Sequence, residues 1–285
     1  MRVIKTVKEL KAFVRTEKQA GHQIGLVPTM GFLHEGHLTL ANKAQQENDT
    51  IIMSIFVNPL QFGPNEDFER YPRDLDRDEQ LAASAGVDCL FAPEVEEMYP
   101  EPSIITMTVT DRTDKLCGVK RPGHFDGVVK VVTKLFHLAE PDKAYFGLKD
   151  AQQFAVIDGL VKSLNFPVEV VGVETVREED GLAKSSRNVY LTEEERTKAP
   201  YLQKALQHGV QAAEQGGKSV KEIIDLTASY LENHTGATID YVDLLSYPEL
   251  NSLKEVQGKM ILAAAINYSK ARLIDNIIFT VGGEC

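Results

Sequence analysis

For its first 176 residues the chain alternates short β-branched runs with amphipathic helical stretches, and this alternation restricts the fold more than any other feature. Ile24–Val27, Thr50–Val57, Cys89–Ala92, Lys143–Phe146 and Val168–Val173 read as buried strands, being apolar and bounded by turn residues. Between them, His37–Glu47, Arg73–Ala85, Gly127–Leu138 and Ala151–Leu164 carry helical spacing. Strands separated by helices form a parallel sheet with helices on both faces, a Rossmann-like α/β architecture. In such sheets ligands bind outside the carboxyl ends of the strands.

The pattern changes near Val176. Thr192 with Glu195, and Ser219 with Glu222, have the spacing of capping boxes and predict two helix starts. Ala237–Leu245, Met260–Ile266 and Arg272–Val281 then read as strands with no long helix between them. This predicts a smaller α+β C-terminal domain, with domains at 1–176 and 177–285. The alternation of Ile239, Tyr241, Asp243 and Leu245 suits a sheet with one solvated face.

No apolar run approaches the roughly 20 residues that span a bilayer. The dispersed Lys5, Lys8, Glu9 and Lys11 break any secretory-signal core, so a cytoplasmic location is expected. Cys89, Cys117 and Cys285 are odd in number and widely separated, which argues against a disulfide framework and a zinc knuckle. A net charge of −11 counts against nucleic acid, and it requires any anionic substrate to find locally focused donors.

Three constellations fall at strand ends. Strand Ile24–Val27 runs into Pro28-Thr29-Met30-Gly31, then His34-Glu35-Gly36-His37, then a helix. A glycine-punctuated strand-to-helix turn is expected to offer backbone N–H groups to an anion, with imidazole donors three residues apart. A zinc pair would need histidines four apart on a helix, so the spacing disfavours metal. Farther on, Lys184-Ser185-Ser186-Arg187 places two cations around two hydroxyls, a composition suited to phosphate oxygens. Finally, Asn58–Gln61 and Gly147–Gln153 put amides and charges past two strand ends, where Asp150 could cap a helix or accept ribose hydroxyls.

Taken in order, PTMGFLHEGH (28–37), SIFVNPLQF (54–62), Tyr71–Arg73, RPGHF (121–125), Gly147–Gln153, GLAKSSRN (181–188) and ARLIDN (271–276) resemble the pantothenate synthetase (pantoate–β-alanine ligase) family. The resemblance covers essentially the whole chain. It implies an ATP- and pantoate-binding nucleotidyltransferase-like domain at 1–176, and a C-terminal lid at 177–285 that closes on ATP. It implies attack of pantoate carboxylate on ATP to give pantoyl adenylate and pyrophosphate, then capture by β-alanine with release of AMP.

By the same resemblance, ATP contacts come from Met30, Gly31, Phe32, Leu33, His34, Glu35, Gly36 and His37. Further contacts come from Gly147, Leu148, Lys149, Asp150, Val176, Lys184, Ser185, Ser186 and Arg187. His34, His37, Lys149 and Arg187 are the catalytic candidates, Gln61 holds pantoate and β-alanine, and Gln153 holds pantoate. Asp78 matches a magnesium-associated position, with Mg²⁺ entering alongside ATP and no organic cofactor. A homodimer is implied, with no nucleic-acid or membrane partner. Leu148 replaces a glutamate common in the family, and Lys184 an apolar residue.

Overall fold

The computed structural model describes residues 1–64 and 66–282, so Cys285 lies outside the described residues. The chain begins with β1 (Arg2–Ile4), α1 (Val7–Gln19), β2 (Ile24–Thr29), α2 (Glu35–Glu47), β3 (Thr50–Ile55), α3 (Leu75–Ser84), β4 (Cys89–Phe91) and α4 (Val95–Met98). It continues with α5 (Leu116–Lys120), α6 (His124–Ala139), β5 (Lys143–Gly147), α7 (Ala151–Leu164) and β6 (Glu169–Val173). Then follow α8 (Glu193–Lys198), α9 (Tyr201–Glu214), α10 (Val220–Thr235), β7 (Thr238–Ser246), β8 (Gly258–Asn267) and β9 (Arg272–Val281).

These elements form two compact units. One comprises Met1–Thr110, Arg121–Leu148 and Val156–Glu174; the other comprises Asp111–Lys120, Lys149–Ala155 and the chain from Thr175 onward.

The first unit holds a six-stranded parallel sheet in the order β1-β4-β3-β2-β5-β6. β2 pairs with β3 from Ile24↔Thr50 to Thr29↔Ile55, and on its other edge with β5 at Gly25↔Lys143. Strands β3 and β4 therefore lie to one side of β2, and β5 and β6 to the other. The carboxyl ends of β2 and β5 flank the point where strand order reverses, the place at which such sheets bind ligands. The core explains the apolar strands. Leu33 with Leu40, Ala41 and Ala44 of α2 and Ala82 of α3 packs on Val27, Ile51, Met53, Leu90 and Tyr145. The intervening Leu26 and Ile52 are also fully buried, and α6 packs against β2.

The alternation starts one strand and one helix earlier than the periodicity predicts. β1 is only three residues long and buries Ile4 alone. The helix α1 buries Leu10, Phe13 and Val14 within a Lys/Glu-rich surface, with Thr6 as its N-cap.

In the second unit, β7, β8 and β9 form an antiparallel sheet in that order. The two expected capping boxes are present, Thr192–Glu195 at α8 and Ser219–Glu222 at α10. Leu202, Leu206, Ile223 and Leu231 cover one face, meeting Met260, Leu262, Ala264 and Ile266. The expected solvated face is corrected by the structure. Ile261 and Ala263 of β8 are buried against Leu116, Ala151, Ala155 and Tyr247. Most of the covering residues belong to segments more than 90 positions upstream, which the alternation within β7 does not reveal.

Candidate active site

The turn leaving β2 is held from within. Gly31 N–H donates to Thr29 Oγ1 at 3.1 Å, and the N–H groups of Phe32 and Leu33 donate to the two Asp78 oxygens, each at 2.7 Å. His34 N–H donates to His37 Nδ1 at 3.3 Å, and Gly36 N–H to His34 Nδ1 at 3.2 Å. These donors stabilise the turn itself, so the expected cradle of outward backbone N–H groups is not how the turn is built. What the turn presents instead is a pair of imidazoles stacked with centroids 4.0 Å apart. Because each Nδ1 accepts a backbone N–H, the neutral ring carries its proton on Nε2. Both rings are thereby fixed as Nε2–H donors.

The glycines have local reasons. A Cβ on Gly36 would lie 2.9 Å from the His34 ring, so glycine lets that imidazole fold back over the helix start. Gly31 has φ +80°, and a Cβ there would meet Ile55 at 2.8 Å and Asp78 at 3.0 Å.

Asp78 is the one site assignment whose chemistry the structure redirects. Its carboxylate is almost fully buried and both oxygens are taken by the turn. Burial raises its pKa, against the lowering effect of those N–H donors. A magnesium ion prefers accessible, charged oxygen ligands, and this carboxylate offers none. Among the described residues no group of three or more His, Cys, Asp or Glu side chains could hold a metal ion. Asp78 is a clamp for Phe32 and Leu33, not a fitting Mg²⁺ ligand.

Gln61 ends a short 3-10 turn, Pro59–Gln61, just past β3. Its Oε1 accepts Asn58 Nδ2 at 3.0 Å and its Nε2 donates to Met30 Sδ at 3.2 Å. Asn58 is itself fixed by Tyr99 Oη at 3.0 Å and the Gly127 carbonyl at 3.1 Å. The Gln61 carbonyl accepts His124 Nδ1 at 2.8 Å, while His124 Nε2 faces Arg121 Nη1 at 3.0 Å. A guanidinium only donates, so Nε2 is the acceptor and Nδ1 carries the proton. Arg121 in turn grips Glu66, with Nε 2.7 Å from Oε1. Burial raises the Glu66 pKa, but the hydrogen bond and charge of Arg121 outweigh it and hold the group below its ordinary 4.5. Helix α6 can lie on this turn because residue 127 is glycine; a Cβ there would sit 2.2 Å from the Leu60 carbonyl oxygen. Gln61 is thus buried and immobilised. Its one weak bond is to a thioether, a poor acceptor that a ligand oxygen can replace.

In the same unit, β5 ends at Gly147, where a Cβ would meet open space, and Leu148 follows. Nothing in the protein's own packing demands a glycine there.

The second unit carries the remaining candidates. Lys149 Nζ lies 3.9 Å from Asp150 Oδ2, and the Lys149 carbonyl accepts Asn276 Nδ2 at 2.9 Å. Gln152 and Gln153 divide their labour. Gln152 is buried and staples the 111–120 segment through Cys117 N–H at 2.9 Å and the carbonyls of Arg112 and Lys115 at 2.8 and 2.9 Å. Gln153 is half-buried. Val176 and Lys184 belong to a tight hairpin in which Lys184 N–H donates to the Val176 carbonyl at 2.9 Å. Lys184 Nζ pairs with Glu178 at 3.3 Å, and Ser185 Oγ accepts Arg187 N–H at 3.3 Å to start the Ser186–Tyr190 3-10 turn. The hairpin is anchored by Arg177, whose guanidinium reaches Asp275 at 2.6 and 3.0 Å.

Sequence reasoning assigned no role to Arg177, Asp275 or Asn276. The ARLIDN match contained the signal, two adjacent polar residues inside the otherwise apolar run Leu273–Phe279. Asp275 and Asn276 hold the Arg177 hairpin and the Lys149 turn, respectively, from neighbouring positions of β9.

A parallel sheet with a histidine-bearing turn at its switch point defines an α/β nucleotide-binding fold. The family model for pantoate-beta-alanine ligase matches residues 2–278, and the chain belongs to that family. It is 58% identical to the pantothenate synthetase of Bacillus subtilis (strain 168) over 99% of this chain and 98% of that protein. The Bacillus pumilus (strain SAFR-032) enzyme is likewise 58% identical, over 99% of this chain and 97% of its own. The crystal structure of the Thermus thermophilus pantothenate synthetase matches with a TM-score of 0.92 at 49% identity, over 97% of this chain and 99% of that one. A Francisella tularensis pantoate-beta-alanine ligase, crystallised with beta-gamma ATP and beta-alanine, matches with a TM-score of 0.79 at 34% identity, over 98% and 97%.

Proposed function

We infer that this chain condenses pantoate with β-alanine at the expense of ATP, forming pantothenate, AMP and pyrophosphate through pantoyl adenylate. Family membership over nearly the full length carries the overall reaction. The observation that carries the residue-level reading is the fixed Gln61 amide in the same unit as the two Nε2–H imidazoles at the sheet's switch point.

In the first step a pantoate carboxylate oxygen attacks the α-phosphorus, and the bond to the pyrophosphate oxygen breaks. Such a step needs alignment and neutralisation of the departing charge more than covalent help. His34 and His37 donate through Nε2–H to phosphate oxygens, and Lys149, Lys184 and Arg187 add positive charge. Met30 to Leu33, Glu35, Gly36, Gly147, Leu148, Asp150, Val176, Ser185 and Ser186 complete the ATP contacts by family resemblance. Mg²⁺ enters as the Mg-ATP substrate, offsetting phosphate charge.

Gln61 and Gln153 orient pantoate by neutral amides. Its carboxylate is therefore not paired to a strong cation and keeps its nucleophilicity. In the second step the neutral amine of β-alanine, oriented beside Gln61, attacks the acyl carbon. The bond to AMP breaks and the nitrogen sheds a proton. We place this chemistry in the cytoplasm, in a homodimer, with no organic cofactor. By family resemblance the C-terminal domain, 177–285, serves as a lid, which ligand-dependent small-angle scattering tests.

The discriminating assay is exchange of labelled pyrophosphate into ATP. Exchange that requires pantoate, followed by AMP release on adding β-alanine, supports the reading; exchange indifferent to pantoate overturns it.

A further inference from the structure

Two consecutive residues of α3 hold two consecutive residues of the histidine-bearing turn. Asp78 takes the N–H groups of Phe32 and Leu33. Arg77, the residue before it, takes what is left: its Nη1 donates to the Leu33 carbonyl at 2.9 Å, and its Cζ lies 5.2 Å from the centre of the Phe32 ring. There is strain for this grip to hold. Phe32 has φ +48°, in the left-handed region that a bulky side chain seldom enters. Such conformations persist where neighbours over-determine them, and they cluster at functional sites.

Holding the turn uses little of this guanidinium. The group has five N–H donors in a planar fork, and among the described residues only Nη1 has an acceptor. The side chain is 45% exposed, so the remaining donors meet solvent beside the turn. Asp78 does not cancel that charge by contact. Its Oδ1 stands 3.7 Å from Nη1, and both its oxygens are buried on backbone N–H groups. The pair therefore has its negative end inside and its positive end at the surface. Nearby cations of the first unit are committed elsewhere, Arg73 to the carbonyls of Tyr71 and Phe68 and Arg121 to Glu66. Lys149, Lys184 and Arg187 all belong to the second unit. A chain of net charge −11 needs a focused cation wherever it receives phosphates, and in the first unit Arg77 stands at the turn.

We propose that Arg77 is a further ATP-binding residue, whose outward N–H groups donate to the pyrophosphate portion of ATP and hold its charge as it leaves. The planar fork matches phosphate oxygens better than a point charge would. Its anchorage matters as much as its charge. Tied to Phe32 and Leu33, the guanidinium is fixed relative to the His34 and His37 rings that follow them. Donors already in place when charge develops are the ones that stabilise it most. Arg77 thus has two tasks on one side chain, a bond inward to the turn and a fork outward to the ligand. The proposal rests on the ATP reading above and adds a contact that comes from the first unit.

Calorimetric binding of magnesium pyrophosphate and of AMP, measured separately on the full chain, tests it. AMP lacks the phosphates assigned to Arg77 and so reports on the turn alone. Arg77→Met keeps an apolar stem over Phe32 and loses every donor of the fork. It should weaken pyrophosphate binding by about 10- to 100-fold, the worth of a hydrogen bond to a charged group, and leave AMP binding unchanged. Arg77→Lys keeps the charge without the fork and should fall between. Equal losses for both ligands would make Arg77 a prop for the turn and overturn the proposal, as would unchanged pyrophosphate binding. If circular dichroism shows that Arg77→Met does not fold, the same comparison on Arg77→Lys decides. Wild-type protein that binds neither ligand and lacks pantoate-dependent exchange overturns the ATP reading itself. Wild-type protein that binds both, beside a variant of undiminished pyrophosphate affinity, overturns this proposal alone.

Discussion

The carboxylate of Asp275 engages the guanidinium of Arg177 through two hydrogen bonds, at 2.6 and 3.0 Å, and so ties the hairpin bearing Lys184 to β9. Asp275 is almost wholly buried. Removing one partner of such a pair strands the other, at a cost of about 3 kcal/mol. Asp275→Ala should therefore lower unfolding stability by about that amount and raise the KM for ATP, because Val176, Lys184 and Arg187 share the hairpin and the turn after it. Arg177→Lys keeps the charge but loses the fork, and should give a milder version of both effects. Urea unfolding with initial rates against ATP checks this; normal KM in both variants would detach the hairpin from ATP.

His37→Ala should reduce kcat by about 100- to 1000-fold, the loss expected for one transition-state donor. Its stability cost should stay near 1 kcal/mol, since only the contact at the helix start is lost. Gly36→Ala should follow it partway without touching either histidine chemically, because the added methyl displaces the His34 ring. Single-turnover adenylate formation separates these effects from product release.

Asp78→Asn distinguishes a clamp from a metal ligand. An amide keeps one acceptor for two backbone donors and turns an N–H toward the other. The expected result is a stability loss of about 1–3 kcal/mol with reduced kcat. The Mg²⁺ concentration giving half-maximal rate should not move. A large rightward shift of that midpoint would restore a metal role to this carboxylate.

Glu66 makes an acid-range prediction. Its folded pKa lies below the ordinary 4.5, through burial that raises it and an Arg121 contact that more than compensates. The stability it contributes is therefore present above the ordinary 4.5 and is lost as pH falls below that value through the folded pKa. Glu66→Gln should flatten part of the acid limb of a stability-versus-pH curve, and should raise the KM for pantoate, since Arg121 and His124 hold the Gln61 carbonyl. Parallel curves for wild type and variant would contradict the linkage.

Much of this molecule can be read from residues alone, and the parts that cannot share a cause. Strands β2, β3 and β5 are legible because both their faces are buried, which writes continuous apolar runs into the sequence. β1 escapes because three residues cannot show a period. The covered face of β8 escapes because Leu116, Ala151 and Ala155 reach it from distant sequence. In the candidate site, residue types identified the His34–His37 turn, but hydrogen-bond direction did not follow from them. In the folded chain the N–H groups of Gly31, Phe32 and Leu33 are consumed internally, Asp78 consumes two of them, and Gly36 makes room for a histidine ring. Asn276 and Arg177 act through partners 127 and 98 residues away in the chain, and no local pattern encodes such partnerships.

In the proposed reaction the pantoate carboxylate attacks the α-phosphorus of ATP. Pantoate labelled with ¹⁸O in its carboxylate, turned over with ATP and β-alanine, tests this directly by mass spectrometry of the products. Each AMP formed should carry one ¹⁸O, taken from the acyl group when the amine displaces it. Unlabelled AMP, with the displaced ¹⁸O in inorganic phosphate, pyrophosphate or water, would contradict it.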